Sequence, residues 1–335
     1  MGGVGKTQVA IEYLYAHMAD YASVFWISGA TKTEFQSGFL QIATVVNSVD
    51  AEAGDDADAV VNAVLRWLKE QQSWLIVIDN LDDLSIAHGY LPETSGDGGH
   101  VLITTRNQAP TGIPAQGLEV GIFDPSQAVE LLLLRATGTK HREPEIEGEA
   151  RRIVNELGYL PLAIEQAAAF IRQSSLDLSN FLNIYSESRK EFLADLPEPD
   201  YIYPRALEST FFMSFQEVRT RNPDAAHLLN LFAFLNSDAI LVDFLRSGHQ
   251  ALGEPLRSLL GNWFKFGKAL GELGQFSLIQ QSKDGQTLSV HRLIQDHLEP
   301  PRKRDLMTAT VSMFYQRFHS SEKTRDKYAA DIDSK

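Results

Sequence analysis

The chain opens with a glycine-rich loop that ends in a lysine and a threonine. Residues 2–7 read GGVGKT and match the last six positions of the phosphate-binding pattern G-x-x-x-x-G-K-[ST]. Glycines let the backbone turn and direct N–H groups at phosphate oxygens, the lysine adds a positive charge, and the threonine hydroxyl is placed to bind Mg²⁺. The predicted phosphate-binding residues are Gly2, Gly3, Val4, Gly5, Lys6, Thr7 and Gln8.

A helix is predicted directly after this loop, over residues 7–18, because apolar residues recur there at helical spacing. Its positive N-terminal end would point at the same phosphates. This pattern argues against the alternative reading of residues 2–7 as a glycine-rich tail. The first glycine of the pattern, and the strand that leads into such a loop, would precede Met1. We therefore expect the sequence to be an N-terminally truncated copy of its module.

Composition limits the class of protein. A length of 335 residues allows two or three domains, and a hydrophobic fraction of 44% with a charged fraction of 22% is ordinary for a globular chain. The net charge of −14 makes nucleic acid an unlikely general partner, because binding it needs clustered cations. The absence of cysteine excludes disulfides and cysteine-ligated zinc. No apolar run reaches 18 residues and no signal peptide opens the chain, so we expect a cytoplasmic protein without a membrane partner.

The first third of the chain alternates between strand and helix patterns. Apolar, β-rich runs at residues 21–28, 74–79 and 100–105 predict buried strands, and residues 117–123 predict a weaker one. Helical spacing fills residues 33–46 and 60–71 between them. This alternation predicts an α/β P-loop NTPase domain over residues 1–123, with a parallel sheet whose first strand is missing.

From residue 124 onward the pattern is helical. Four predicted helices, the first capped by Asp124, form an all-α helical domain over residues 124–196. A proline-rich stretch at residues 195–204 reads as a linker. Further helices and a hairpin with an Asp284-Gly285 turn then predict a winged-helix domain over residues 197–300. Residues 301–335 are predicted to start a C-terminal helical region.

Three charged residues at strand ends are candidates for the chemistry of the site. Asp79 ends the apolar run WLIVID, where a P-loop protein places the carboxylate that faces Mg²⁺. The next residue is Asn80, an amide that cannot accept a proton, so Asp82 or the neighbouring Asp83 would have to activate water, or hydrolysis is slow. Arg106 ends the run HVLITTR and is predicted to sense the γ-phosphate of ATP.

The order of five motifs is more specific than any one of them. GGVGKT, WLIVIDN, LITTR, GYLPLA and VHRLIQ follow one another from residue 2 to residue 295. Together they resemble the NB-ARC class of STAND NTPases, and most of all the fungal NOD-like receptors in which this module precedes tetratricopeptide repeats. The resemblance extends over nearly the whole chain. Two positions depart from the family's MHD-type motif around the histidine, Val290 in place of Met and Arg292 in place of Asp.

The resemblance implies a function and further site residues. In this family the proline matched by Pro161 lies against adenine, and the histidine matched by His291 contacts the β-phosphate of ADP. The family's members are signalling switches of innate immunity that close around ADP and open with ATP to form homo-oligomers. Effector and repeat-domain partners would lie on segments absent from this sequence. The cofactors implied are ADP or ATP with Mg²⁺, the latter held by Thr7 and Asp79.

Two other functions stay open at this point. A metabolic P-loop ATPase or kinase would need a second substrate pocket and an efficient catalytic base. A winged-helix transcription regulator would need a basic recognition helix, whereas residues 236–254 are close to neutral.

Overall fold

The computed structural model describes residues 2–46, 56–92, 98–107, 115–138, 143–194, 202–237 and 240–291. The chain separates into two compact units, with the break between Gly121 and Ile122. The predictions for residues 301–335 and for Arg292 concern residues outside the described ranges. Within those ranges, no helix has both the length and the apolar character that crossing a membrane requires.

The first unit is built from helices and parallel strands. Its helices are α1 (Lys6–His17), α2 (Lys32–Val46) and α3 (Ala57–Glu70), with short 3₁₀ turns at Met18–Asp20 and Leu84–Ala87. Its strands are β1 (Ser23–Ser28), β2 (Trp74–Asp79) and β3 (Gly99–Ile103). They form one parallel sheet in the order β1-β2-β3. The predicted α/β architecture with a parallel sheet is confirmed.

The central strand β2 places the site. All six of its residues are buried, as its continuous apolar run predicts for a strand covered on both faces. Residues on one side of it pack into a core with α2 and α3, whose largest members include Phe35, Phe39 and Leu68. In parallel pairing the carboxyl ends of the strands meet at one edge, so Ser28 pairs with Asp79 there. Polar residues at that edge are brought together by the sheet.

One predicted strand is wrong. Residues 117–123 form no strand in the part of the chain that the structure describes, and Leu118 is 84% exposed. Its apolar residues have the spacing of a strand, but the segment pairs with none of the described strands. Pairing and burial, rather than local pattern, decide whether such a run becomes part of a sheet.

The second unit is mainly helical, as predicted. Its helices are α4 (Pro125–Thr137), α5 (Pro144–Glu156), α6 (Pro161–Ser174), α7 (Leu178–Ala194), α8 (Ile202–Arg221), α9 (Pro223–Phe232), α10 (Val242–Ser247), α11 (Leu256–Gly261) and α12 (Trp263–Gln275), with a 3₁₀ turn at His249–Ala251. Asp124 caps α4 as expected, and its own N–H donates in return to Gln127 Oε1, which completes a capping box. The helix α8 begins at Ile202, inside the predicted linker.

A small antiparallel sheet joins three short strands of this unit. The strands β4 (Ile240–Leu241), β5 (Gln280–Gln281) and β6 (Thr287–Ser289) lie in the order β4-β6-β5. The hairpin between β5 and β6 turns at Gly285, whose φ of 71° is in the left-handed region that favours glycine. The predicted Asp-Gly hairpin is confirmed, whereas the division into domains at 124–196 and 197–300 stays a prediction.

Candidate functional site

The glycine-rich loop turns sharply into α1. Gly3 and Gly5 have φ values of 76° and 95°, which residues with a Cβ rarely adopt. A Cβ at Gly5 would meet no atom within 4 Å, so the conformation rather than crowding requires glycine there. Gly5 caps α1, and its carbonyl accepts the first helical hydrogen bond from Val9 at 2.9 Å. The first turn of the helix therefore presents N–H groups that are not used within the helix beside Lys6 and Thr7.

The Thr7 hydroxyl contacts the carboxylate that ends β2. Its Oγ lies 2.9 Å from Oδ1 and 3.2 Å from Oδ2 of Asp79, although 72 residues separate the two in sequence. Asp79 is only 5% exposed. Both residues predicted to hold Mg²⁺ therefore meet at the carboxyl edge of the sheet.

A second hydroxyl, from Thr104, holds the same carboxylate. Its Oγ donates to Asp79 Oδ1 at 2.5 Å and accepts from the Asn80 N–H at 2.9 Å. Thr104 is 6% exposed, and its own backbone N–H continues the β2–β3 ladder to the Ile78 carbonyl. The next residue, Thr105, makes a different contact, and its hydroxyl accepts from the Asn107 N–H at 3.0 Å. The strand register decides which of the two adjacent threonines reaches the carboxylate, here Thr104. The local sequence shows only the pair of threonines and not this choice.

Asn80 supports the Asp79 carboxylate and does not act in place of a catalytic base. Its Nδ2 donates to Asp79 Oδ2 at 3.1 Å, and its backbone is in the left-handed conformation at φ 61°. Asn and Asp tolerate this region better than other residues with a Cβ. The buried carboxylate is thus fixed by Thr7, Thr104 and Asn80.

Arg106 and Asp82 form an ion pair next to this group. Arg106 Nε lies 3.2 Å from Asp82 Oδ2, and the Arg106 backbone N–H donates to Asp82 Oδ1 at 2.6 Å. Burial lowers the pKa of Lys6; Asp82 opposes this shift, Arg106 adds to it, and Asp79 opposes it. Lys6 therefore shares one electrostatic environment with all three charged residues predicted from the strand ends.

The other acidic candidate, Asp83, serves the backbone. Its Oδ1 accepts from the N–H and the hydroxyl of Ser85 at 3.0 Å and 2.7 Å, which caps the following 3₁₀ turn. These bonds lower the pKa of Asp83. Of the two acids considered for water activation, only Asp82 is shown bonded to another predicted site residue. Gln8, the last predicted phosphate-binding residue, is exposed on α1.

Pro161 and His291 belong to the second unit. Pro161 is the first residue of α6, where a missing N–H costs no helical hydrogen bond. It follows the left-handed residues Gly158 and Tyr159, and the Tyr159 carbonyl accepts from the Phe123 N–H at 3.1 Å. His291 is exposed and directly follows Val290, whose N–H donates to the Ser237 carbonyl at 2.8 Å. The roles of both residues toward a nucleotide stay predictions.

The residues of the first unit fit a magnesium-bound polyphosphate. The left-handed Gly3 and Gly5 open the backbone turn, Lys6 is a partly buried cation, and the Asp79 carboxylate is held rigidly beside the Thr7 hydroxyl. Carboxylate and hydroxyl oxygens are the hard ligands that Mg²⁺ takes in phosphate sites.

Comparison with known proteins gives one strong and several weak similarities. A curated relative, described as a nucleotide-binding leucine-rich repeat (NLR)-like protein of Hyaloscypha variabilis, is 30% identical over 324 residues. The match covers 88% of this chain but only 31% of the relative, so the chain spans about a third of the relative's length. A family model described as a domain of unknown function (DUF7779) matches residues 216–300.

Two solved structures are weakly similar. The Walker-type ATPase of Pyrococcus abyssi has 13% identity and a TM-score of 0.37, with 89% of both chains covered. Cdc6p of Pyrobaculum aerophilum has 12% identity and a TM-score of 0.38, with 89% of this chain and 86% of that chain covered.

The left-handed glycines of the loop and the buried aspartate that Thr7 contacts are the features expected of a P-loop nucleotide site. Over 88% of its length the chain is similar to a nucleotide-binding NLR-like protein.

Proposed function

We propose that the first unit binds ADP or ATP with Mg²⁺ as the nucleotide module of a signalling switch. The observation that carries the proposal is the contact between Thr7 and Asp79, reinforced by Thr104. In this assignment the backbone of residues 2–5 and the Lys6 ammonium bind phosphate. Thr7 and Asp79 bind the metal ion, which would neutralise the phosphate charge. Arg106 contacts the γ-phosphate and so distinguishes ATP from ADP.

The switch itself would involve the second unit. We assign residues 124–196 to a helical domain and residues 197–300 to a winged helix, because α10, α11 and α12 lie between β4 and the β5–β6 hairpin. Pro161 would contact adenine and His291 the β-phosphate of ADP, which favours a closed state. ATP would favour an open state that forms homo-oligomers, through the difference in its affinity for the two states. Cytoplasmic signalling in innate immunity, with effector partners, is part of the same proposal and rests on the family resemblance of the five motifs; the name of the relative supports nucleotide binding.

The experiment that tests nucleotide binding compares Lys6→Ala with the wild-type chain. Titration with a fluorescent ADP should show wild-type binding and a loss of about 10- to 100-fold in affinity for the variant, the scale of a hydrogen bond to a charged group. Lys32→Ala removes an exposed lysine at the start of α2 and is the matched control. Equal affinity in all three proteins would refute the assignment of the phosphate site.

Slow turnover separates a switch from a metabolic enzyme. Asn80 occupies the position next to Asp79 and donates to it. Its neutral amide is not basic, so it cannot take a proton from water. We expect phosphate release well below the roughly 1–10³ s⁻¹ of dedicated enzymes. Release faster than about 1 s⁻¹ that Asp79→Ala abolishes would instead favour a metabolic ATPase.

A further inference from the structure

Asp82 holds Arg106 at two different atoms. One carboxylate oxygen accepts from the backbone N–H of Arg106 at 2.6 Å, and the other lies 3.2 Å from the guanidinium Nε. The first contact ties the loop after β2 to the end of β3. The second occupies the side chain that we assign to the γ-phosphate. The two contacts can be separated by experiment, because an amide oxygen can accept from a backbone N–H without carrying charge.

The side-chain contact is of a kind that a phosphate can displace. The side chains of Arg106 and Asp82 are 38% and 39% exposed, and ion pairs this open to water contribute little to stability. A terminal phosphate carries more negative charge than a carboxylate and presents several oxygens to the planar guanidinium. A carboxylate in this position therefore competes with a phosphate for the same cation without blocking it.

Two basic and two acidic side chains lie around the loop. Lys6 and Arg106 supply two positive charges, and Asp79 and Asp82 supply two negative ones. Asp82 and Asp79 both act on Lys6, so the Asp82 carboxylate lies within electrostatic reach of the phosphate-binding lysine. In the proposed site a diphosphate would leave Arg106 paired with Asp82, whereas a third phosphate would displace this carboxylate from the guanidinium.

We propose that Asp82 is a positioning residue that sets the preference for a nucleoside diphosphate over a triphosphate, by competing with the γ-phosphate for Arg106. The inference rests on the proposed function and specifies how the same site is regulated. In this role Asp82 acts through Arg106. Removing the Asp82 charge should free Arg106 for the triphosphate and raise the triphosphate affinity more than the diphosphate affinity.

The test measures equilibrium affinities of the full chain for Mg-ADP and for a non-hydrolysable Mg-ATP analogue. Asp82→Asn keeps an acceptor for the Arg106 N–H and removes the charge. It should raise the affinity for the triphosphate relative to the diphosphate by about threefold to fivefold, the upper range for a partly exposed ion pair. Asp83→Asn removes one negative charge from the adjacent residue, which bonds Ser85 instead, and should keep the wild-type ratio.

A double-mutant cycle shows whether Asp82 acts through Arg106. In an Arg106→Gln background, Asp82→Asn should leave the ratio unchanged, because the group competed for is gone. Thermal unfolding without nucleotide identifies any variant that fails to fold, and Asp82→Ser then replaces Asp82→Asn. Two results would overturn this inference and leave the proposed function intact. One is an equal triphosphate-to-diphosphate affinity ratio in wild type and Asp82→Asn. The other is an equal change in that ratio in the wild-type and Arg106→Gln backgrounds. A wild-type chain that binds neither nucleotide would overturn the proposed function, and this inference with it.

Discussion

Replacing Thr104 by valine removes one hydroxyl and leaves the shape of the side chain. That hydroxyl is buried, donates to the Asp79 carboxylate at 2.5 Å and accepts from the Asn80 N–H at 2.9 Å. A hydrogen bond to a charged group contributes about 1.5–3 kcal/mol, and a buried N–H left without a partner costs about 1–3 kcal/mol. We expect Thr104→Val to lower the free energy of unfolding of the first unit by about 2.5–6 kcal/mol.

Tryptophan fluorescence can follow this unit separately. Three of the four tryptophans, Trp26, Trp67 and Trp74, lie in the first unit. The fourth, Trp263, is 59% exposed and is replaced by phenylalanine in all proteins compared. Urea titration then reports unfolding of the first unit.

The neighbouring threonine supplies a matched control for this measurement. Thr105→Val removes a hydroxyl that accepts only from the Asn107 N–H among the contacts shown, and it should cost less than about 1 kcal/mol. Thr104→Ser keeps the hydroxyl and should recover most of the loss. Equal effects of the two valine variants, both below about 1 kcal/mol, would contradict the assignment of Thr104 as a support of Asp79.

Three further predictions concern titration and coupling. Because burial lowers the pKa of Lys6 below 10.5, ADP affinity should fall as pH rises through that lowered pKa. The arginine of Lys6→Arg keeps its positive charge over this pH range. The same fall in both proteins would refute the assignment of Lys6 to phosphate binding. Hydrogen bonds from Gln127 and Ser126 lower the pKa of Asp124. The contribution of Asp124 to stability is therefore present above about pH 3.8 and is lost as pH falls through the folded-state pKa. The variant Asp124→Asn should lack this step in thermal melts from roughly pH 5 to 2. His291→Ala should reduce the thermal stabilisation by Mg-ADP, since coupling between sites is typically about 5- to 150-fold in affinity, and an undiminished ADP shift would refute the switch role of this residue.

The sequence predicts the elements whose signals are local. The bounds of β2 match the predicted run, because polar residues flank the continuous apolar segment on both sides. The Asp124 cap and the Asp284-Gly285 turn are also as predicted, because caps and tight turns depend on neighbouring residues alone. The pairing of Thr7 with Asp79 follows from where a P-loop and a central strand must lie in such a sheet.

The elements that sequence reasoning misses depend on distant contacts. Thr104 rather than Thr105 reaches Asp79 because the β2–β3 register places it there. The ion pair of Arg106 with Asp82 joins two loops 24 residues apart, so no local pattern shows it. α8 extends back to Ile202 through part of the predicted linker, where Pro204 stands in the first turn and needs no N–H partner.

The helix that carries Lys6 and Thr7 is held to its sheet by few apolar contacts. Ala10 is the buried residue of α1 and packs beside Leu75 and Val77, while most of the helix surface is exposed. Its backbone amides should therefore exchange with solvent deuterium through local opening at a lower free energy than those of β2. A phosphate ligand bound to the first turn stabilises the hydrogen-bonded form of α1. The free-energy cost of ordering α1 therefore offsets part of the intrinsic affinity for the ligand. The protection of the α1 amides from deuterium exchange thus becomes a direct measure of the fraction of the protein that has the phosphate ligand bound.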